Sequence, residues 1–215
     1  MLIDSINFKE ILIKIAEAIE VNIAYLTDLD AEIGDGDHGI NMNKGFKKIK
    51  EQLVSFNVKD IGEMLIISGK VLLNEIGGAM GPLYGGGFIK AGKMLKGKIE
   101  LDKFDIYTLF SSMVDSMNSI APAKVGDKTL IDTLEPFIVE YKSLIYTNDL
   151  LSSFGGALAK AKEGMESTKD IISRVGRSSR LLERSKGHID VGAASSYLIL
   201  ETIYKYLIRF KGDKD

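Results

Sequence analysis

Apolar residues recur every three or four positions in almost every long segment of this 215-residue chain, which restricts its fold more than any other feature. In the first segment Phe8, Ile11, Leu12, Ile15 and Ile19 would share one face of an α-helix. No sustained alternation of apolar and polar residues occurs, so we expect no β-sheet. The pattern repeats in about eight segments and predicts an all-α fold.

Local signals give the expected helix boundaries. Asn7 followed by Glu10 is typical of a capping box and predicts the start of a first helix that runs to about Leu26. The glycine-rich segment 77–87 is predicted to be a loop, followed by a short helix over about 88–95. Glycine- and aspartate-rich segments that could form functional loops occupy positions 28–43, 77–87, 126–129 and 174–196.

Composition excludes several classes of protein. The net charge of −2 gives no reason to expect nucleic acid as a partner, because a surface that follows phosphates needs an excess of basic residues. The absence of cysteine excludes disulfides and thiolate zinc sites and agrees with a cytoplasmic location. The start, MLIDSINFKE, lacks the pattern of a signal peptide, and no apolar run is long enough to span a membrane. No linker-like segment divides the chain, so we expect a single domain over residues 1–215.

Three aspartates separated by glycines, Asp30, Asp35 and Asp37, indicate a cation site. Glycine lets the backbone aim several carboxylates at one point, where their mutual repulsion favours a bound Mg²⁺ or Ca²⁺. An EF-hand is excluded, because its sixth and twelfth positions would be Ile40 and Phe46. The alternative is a solvated acidic turn that caps the following helix.

Other segments could face phosphate, although both the P-loop motif and the protein-kinase motifs are absent. The segment GGAMGPLYGGGF could bring backbone amides to phosphate oxygens, especially where it leads into a helix. Thr129 in GDKTLID could contact a ligand or cap a helix.

Four of the five arginines, Arg174, Arg177, Arg180 and Arg184, follow one another at intervals of three or four. On a helix they would form one cationic stripe, and a guanidinium can hold a phosphate through two hydrogen bonds. The alternative is a surface face paired with acidic neighbours.

Both histidines, His38 and His188, stand beside aspartate and glycine in these loops. A lone histidine is commonly structural, but their shared setting favours a functional role.

Four motifs, DGDHGINMNKGF, GGAMGPLYGGGF, GDKTLID and GRSSRLLERSKGHIDVGAASS, together resemble the nucleotide-binding L subunit of dihydroxyacetone kinases of the phosphotransferase-system-dependent type. They occur in the family's order across nearly the whole chain. The resemblance implies an antiparallel barrel of eight helices with the nucleotide site in loops at one end.

The resemblance also implies a set of site residues. Asp30, Asp35 and Asp37 would hold two Mg²⁺ ions that bridge the phosphates of ADP or ATP, and Arg177 would act in catalysis. The positions that match or adjoin nucleotide contacts of the family are His38, Asn41, Gly78, Ala79, Met80, Gly126, Thr129, Leu130, Arg177, Asp190 and Gly192.

The implied reaction is phosphoryl transfer to dihydroxyacetone held on a separate K subunit. The resemblance further implies that a phosphohistidine-bearing protein of the phosphotransferase system rephosphorylates the bound ADP. Two alternatives keep the nucleotide site: transfer to another ketose or triose, and a non-catalytic regulatory partner.

Five positions depart from the usual residues of the family. Met80 replaces a serine next to the nucleotide, and Leu130 replaces a methionine. Arg180 stands at a usual tyrosine and Leu182 at a usual glycine. Val191 replaces the proline of a D-P-G turn. The departures thus alter expected nucleotide contacts, whereas the three aspartates of the expected metal site are retained.

Overall fold

The computed structural model of the chain describes residues 1–55 and 58–212. In this part no helix is both long and apolar enough to cross a membrane. The elements are β1 (Ile3–Asp4), α1 (Ser5–Val21), α2 (Ile23–Ile33), α3 (His38–Ser55), α4 (Ile61–Glu75), α5 (Met80–Met94), β2 (Glu100–Leu101), α6 (Lys103–Ile120), α7 (Ile131–Leu144), α8 (Leu150–Ser167) and α9 (Val191–Gly212), with 3-10 helices at Thr168–Asp170 and Arg177–Ser185.

Eight of the helices pack in a closed order. Each helix from α3 to α8 packs against the next one in the chain, and α1 packs against both α3 and α9. The remaining helix, α2, contacts α3, α9 and the second 3-10 helix. The all-α class predicted from the apolar spacing is confirmed, and the antiparallel barrel stays a prediction.

Aromatic side chains join α6, α7 and α8 in the core. Phe137 packs edge-to-face on Phe110 and Phe154, with ring centroids 5.1 Å and 4.9 Å apart. Tyr141 stacks beside Phe137, and all four rings are buried. Packing of this kind fixes the helices relative to one another, so the loops at their ends are held in place.

The predicted loop over 77–87 is wrong for most of its length, because α5 already begins at Met80. Its glycines let α5 approach α4 closely. A Cβ built on Gly85 would lie 2.7 Å from the carbonyl oxygen of Gly69. The glycines thus serve helix packing here, and only residues 77–79 remain as a turn between the two helices.

The predicted first helix is wrong at its start and in its length. The N-cap is Asp4, whose Oδ1 accepts a hydrogen bond from the Asn7 amide at 2.9 Å. The helix ends at Val21 rather than near Leu26, because the side chain of Asn22 donates a hydrogen bond to the Ala18 carbonyl oxygen at 2.8 Å. A separate helix, α2, begins at Ile23.

Two short strands also contradict the expectation of no β-sheet. Ile3 pairs with Leu101 and Asp4 pairs with Glu100 in an antiparallel ladder. Strands of two residues are too short to produce an alternating pattern, so periodicity cannot reveal them. They tie the start of α1 to the start of α6.

Candidate functional site

Three carboxylates converge where α2 ends and α3 begins. Asp30 lies in the last turn of α2, and Asp35 and Asp37 lie in the loop that joins α2 to α3. One oxygen of each carboxylate lies within 4.8 Å of the others. Asp30 is buried, whereas Asp35 and Asp37 are exposed. The structure therefore brings together the three residues that the sequence singles out.

The loop takes this path because the Asp30 carboxylate holds it. Asp30 Oδ2 accepts hydrogen bonds from the backbone amides of Asp37 at 3.0 Å and His38 at 3.2 Å. A Cβ at Gly34 would lie 2.0 Å from Asp30 Oδ1, so a larger residue would displace the carboxylate. Gly36 has a φ of +70°, which side chains disfavour. Local sequence thus dictates the approach of the carboxylates.

The segment 174–188 contacts this acidic loop. Arg177 forms an ion pair with the carboxylate of Asp35. A second contact joins His188 Nδ1 to Glu32 Oε2 at 3.5 Å and is charged only when the histidine is protonated. A guanidinium is therefore placed directly beside the carboxylate cluster.

The carboxylate cluster suits magnesium. Its donors are all hard oxygen atoms, which Mg²⁺ prefers, and Mg²⁺ is usually held in proteins by a few carboxylates together with water and substrate phosphates. Two of its members are open to solvent, so water and phosphate oxygens can complete the coordination. The residues present thus fit a metal shared with a phosphorylated ligand.

A cavity of about 230 Å³ extends from the carboxylates into the protein. Besides the polar residues at its mouth it has an apolar wall that includes Ile33, Leu83, Met117 and Ile131. The predicted site residues that line it are Asp30, Asp35, Asp37, His38, Asn41, Gly78, Ala79, Met80, Thr129, Leu130, Arg177, Asp190 and Gly192.

The turn before α5 presents backbone to the cavity. Gly78 has a φ of +66°, and a Cβ built on it would meet no atom within 4 Å, so the turn is open on that side. Ala79 and Met80 follow at the start of α5, where helix amides lack intrahelical acceptors and favour anions. The Met80 side chain packs against the core, and Asn41 lies opposite Gly77.

His38 links α3 to α9 rather than pointing into solvent. Its Nε2 lies 3.0 Å from Ser195 Oγ, and Ser195 Oγ donates to the Gly192 carbonyl oxygen at 3.1 Å. Burial lowers the pKa of His38 to about 4, although the charge of Asp30 opposes this shift. In this environment the imidazole is neutral near pH 7 and acts as a hydrogen-bonding group.

Gly126 is the one predicted site residue that does not line the cavity. Its amide donates to Asp132 Oδ1 at 2.6 Å, and the Thr129 amide donates to Asp132 Oδ2 at 2.7 Å. Thr129 Oγ1 accepts a hydrogen bond from the amide of Ile131, the first residue of α7, at 3.1 Å. The buried Asp132 therefore orders this loop, a role that the sequence analysis missed.

Asp190 caps α9 at the inner wall of the cavity. Its Oδ2 accepts a hydrogen bond from the Ala193 amide at 2.8 Å. Asp190 keeps some solvent access through the cavity, but the protein atoms packed around its carboxyl raise the pKa to about 7. Repulsion by Asp132 acts in the same direction, so this carboxyl titrates near neutral pH.

The arginines do not form the predicted continuous stripe. Arg174 precedes the 3-10 helix that carries Arg177 and Arg180. Leu182 breaks that helix with a φ of 50°, so Arg184 lies beyond a kink. Among these four arginines only Arg177 lines the cavity, which separates it from the rest.

A buried lysine at the site was also missed. Lys128 is only 1% exposed, lines the cavity and has a φ of +63°. Its Nζ donates to carbonyl oxygens 40 to 60 residues away in the sequence. The one local signal was a lysine inside the motif GDKTLID, which does not reveal distant partners.

Comparison with known sequences gives consistent results. The profile of the DAK2 domain matches residues 32–205. The ADP-binding subunit DhaL of PEP-dependent dihydroxyacetone kinase 2 from Listeria innocua is 34% identical over 209 residues, covering 96% of this chain and 97% of that one. The corresponding Escherichia coli subunit is 38% identical over 180 residues, covering 83% and 86%. A D-erythrulose kinase of Mycolicibacterium smegmatis is 31% identical over 191 residues, covering 87% of this chain but 33% of its own.

Solved structures share the helical fold. The native dihydroxyacetone kinase of C. freundii superposes with a TM-score of 0.74 at 21% identity, covering 92% of this chain and 34% of that chain. A structure of the same kinase in complex with AMP-PNP and Mg²⁺ gives a TM-score of 0.71 at 22% identity. The present chain thus spans about a third of that larger protein.

Proposed function

This chain belongs to the DAK2 domain family, and we propose that it is the nucleotide-binding subunit of a dihydroxyacetone kinase. The observation that carries the proposal is the cluster of Asp30, Asp35 and Asp37 beside Arg177 at the mouth of a cavity. Relatives named as ADP-binding subunits match it over 86% to 97% of their own length, which supports the same role here.

In this proposal the three aspartates hold two magnesium ions and the cavity holds ADP or ATP. Mg²⁺ bound there neutralises phosphate charge, and the nucleotide supplies the phosphoryl group to be transferred. The chemistry of the carboxylate oxygens supports a hard divalent cation, as argued above. The complex of a structural relative with AMP-PNP and Mg²⁺ agrees with this assignment.

The protein's own groups would act by positioning and by charge. The guanidinium of Arg177 can hold two phosphate oxygens and stabilise charge that develops during transfer. Backbone amides at Gly78, Ala79 and Met80 would receive the phosphates at the start of α5. The buried side chain of Leu130 would pack against the nucleotide, with other apolar groups of the cavity wall.

The remaining predicted contacts are assigned to the same ligand. His38, Asn41, Thr129, Asp190 and Gly192 line the cavity and would contact the nucleotide. The loop that contains Gly126 would act through Asp132 instead, since that carboxylate fixes the amides of the loop.

The acceptor, dihydroxyacetone, would be bound by a separate K subunit that docks at the cavity mouth. A phosphohistidine-bearing protein of the phosphotransferase system would rephosphorylate ADP in place. The PEP-dependent and PTS-dependent names of the relatives support this cycle. The weak net charge of −2 supports neither nucleic acid nor an anionic membrane as a further partner, and we expect the protein to work in the cytoplasm.

A direct test is mass spectrometry of small molecules released from the purified chain, followed by titration with Mg²⁺ and ADP. We expect released ADP, or magnesium-dependent binding of ADP with a stoichiometry of about one per chain, because one cavity adjoins the carboxylates. Failure of adenine nucleotides to bind in the presence of Mg²⁺ would overturn the proposal.

A second candidate keeps the reaction but changes the acceptor to another ketose such as erythrulose. It is favoured by the similarity to erythrulose kinases from two genera. Dihydroxyacetone is preferred, because this chain covers 33% or less of each erythrulose kinase but nearly all of the DhaL subunits. Competing both ketoses in a reconstituted assay distinguishes them. A regulatory, non-catalytic role would give nucleotide binding without transfer to either.

A further inference from the structure

Lys128 is a buried cation with every donor occupied. Its Nζ donates to the carbonyl oxygens of Thr168 at 2.5 Å, His188 at 2.5 Å and Ile171 at 3.3 Å. An ammonium group has three N–H donors, so these carbonyls use all of them. Although Lys128 lines the cavity, it therefore has no donor left for a phosphate.

Of the carbonyls that Lys128 binds, those of Ile171 and His188 lie at the two ends of the loop 171–188, which carries Arg177, and that of Thr168 lies three residues before the loop. Next to them, the Gly187 amide donates to the Lys169 carbonyl oxygen at 2.8 Å. These contacts hold the two ends of the loop together, and we call this junction the neck of the loop. A displacement of the neck would therefore displace the backbone on both sides of Arg177.

Inside the loop, serine side chains connect the neck to Arg177. The Ser173 amide donates to Ser185 Oγ at 2.9 Å, which bridges the two arms of the loop. The hydroxyl groups of Ser173 and Ser178 lie 2.6 Å apart, and Ser178 directly follows Arg177 in the chain. These contacts connect both arms of the loop to the residue that follows Arg177, so a shift of the neck would be passed to the arginine.

The backbone and the charges around Lys128 indicate that its placement is enforced. Its φ of +63° is uncommon for a residue with a side chain and persists only where surrounding contacts determine it. Burial lowers the pKa of Lys128, while the negative charges of Asp190, Asp132 and Asp170 act against that shift. A buried ammonium without hydrogen bonds or counter-charges would be costly, and here three carbonyl oxygens and the nearby carboxylates offset that cost.

We propose that Lys128 is a positioning residue that clamps the neck of the loop 171–188 and so fixes Arg177 over the metal-binding carboxylates. The functional part of this inference rests on the proposed role of Arg177 in phosphoryl transfer. The structural part, the clamp itself, is independent of that role.

Hydrogen–deuterium exchange tests the clamp without relying on a measurement of activity. In the full chain Lys128→Met should accelerate exchange of the amides within 172–187 while the helices keep their protection. Lys124→Met is the matched control, since this exposed lysine lies four residues away, and it should leave exchange unchanged. Unaltered exchange of the loop in Lys128→Met would overturn the clamp. If that variant does not fold, Lys128→Gln retains two N–H donors and should give a smaller acceleration in the same segment.

A double-mutant cycle tests the link to Arg177. With a K-type partner, Lys128→Met should slow transfer on the order of 10²-fold, as small displacements of a catalytic group can. In an Arg177→Ala background the same change should have an effect of about twofold or less, because the group through which Lys128 acts is gone and coupled residues are non-additive. Equal effects in both backgrounds would mean that Lys128 acts on general stability only. If the unaltered chain transfers nothing, the proposed function fails, while the exchange data still decide the clamp.

Discussion

Among single residues, Asp35 tests the metal assignment most directly, because it is an exposed member of the cluster and also pairs with Arg177. A ligand at about 100 times its dissociation constant stabilises a protein by roughly 2.7 kcal/mol. For a chain of this size that raises the Tm by about 5–10 °C. We expect Asp35→Asn to lose most of the shift produced by Mg–ADP at limiting Mg²⁺ in thermal unfolding.

The control is Asp28→Asn, an exposed aspartate of α2 that does not line the cavity. It should keep the full shift. Retention of the full shift by Asp35→Asn would remove Asp35 from the metal site.

Arg177 should matter through its shape as well as its charge. Arg177→Lys keeps the charge but loses the planar fork that grips two phosphate oxygens. Transfer measured with a K-type partner should fall on the order of 10²-fold, as when a preorganised donor is removed, with little change in Tm. Arg180→Ala should have a much smaller effect, because Arg180 does not line the cavity. If Arg177→Lys and the unaltered chain turned over equally, Arg177 would be only a surface residue paired with an acidic neighbour.

Asp190 makes stability depend on pH. Its pKa is about 7 in the folded protein and about 3.9 in an unfolded chain, so the folded state binds more protons between these values. This residue therefore makes folding less favourable as pH rises from about 4 to about 7. Asp190→Asn keeps an oxygen to cap α9. Its free energy of unfolding, relative to the unaltered chain, should increase across this range and level off above about pH 8.

Asp149 provides a matched control as the N-cap of α8. Hydrogen bonding from Ser152 lowers its pKa, so its contribution changes only below about pH 4. The stability difference for Asp149→Asn should thus be flat from pH 5 to pH 7. Parallel curves for Asp190→Asn and the unaltered chain, in urea unfolding without nucleotide or Mg²⁺, would contradict the assigned pKa.

Between elements, the close contact of α4 and α5 depends on glycine. A Cβ at Gly85 would lie 2.6 Å from Leu73 Cγ and 2.7 Å from the Gly69 carbonyl oxygen. Gly85→Ala should therefore destabilise the protein by about 1–3 kcal/mol, despite the better helix propensity of alanine. At Gly86 the nearest atom is the flexible end of Ile120, so Gly86→Ala should be near neutral. Denaturant unfolding that ranks the two variants in the opposite order would disprove this packing account.

The same contact explains which elements were predictable from sequence. The apolar period identified the helices, because each buries one face and the pattern is local. The glycines near Gly85 were wrongly interpreted as a loop, because they are needed for the close approach of α4, and this contact is not visible in the local sequence. The break at Asn22 was missed, because a side-chain contact with Ala18 decides it and the apolar period continues across it.

Site residues divide in the same way. The cluster of Asp30, Asp35 and Asp37 could be predicted, because the three carboxylates lie within eight residues of one another and the glycines between them let the backbone bring them together. Lys128 and Asp132 could not, since their importance rests on hydrogen bonds to other parts of the backbone. Ligand-binding residues that lie close together in the sequence could therefore be predicted, whereas the residues that hold their loops in place could not.

At the scale of the whole molecule, we propose that the chain carries the nucleotide and relies on a partner for the acceptor. The groups assigned at the cavity account for binding phosphates and a metal, and none of them is assigned to a ketose. Docking of a K-type subunit at the cavity mouth would also exclude water from the phosphoryl group. Activity should therefore depend on both proteins.

The decisive measurement is transfer of labelled phosphate from ATP to dihydroxyacetone in the presence of Mg²⁺, with the chain alone and with a K-type subunit. We expect no transfer by the chain alone and transfer when both are present. Addition of a phosphohistidine-bearing donor should make the reaction catalytic in nucleotide. Robust phosphorylation of dihydroxyacetone by the isolated 215-residue chain would contradict the account.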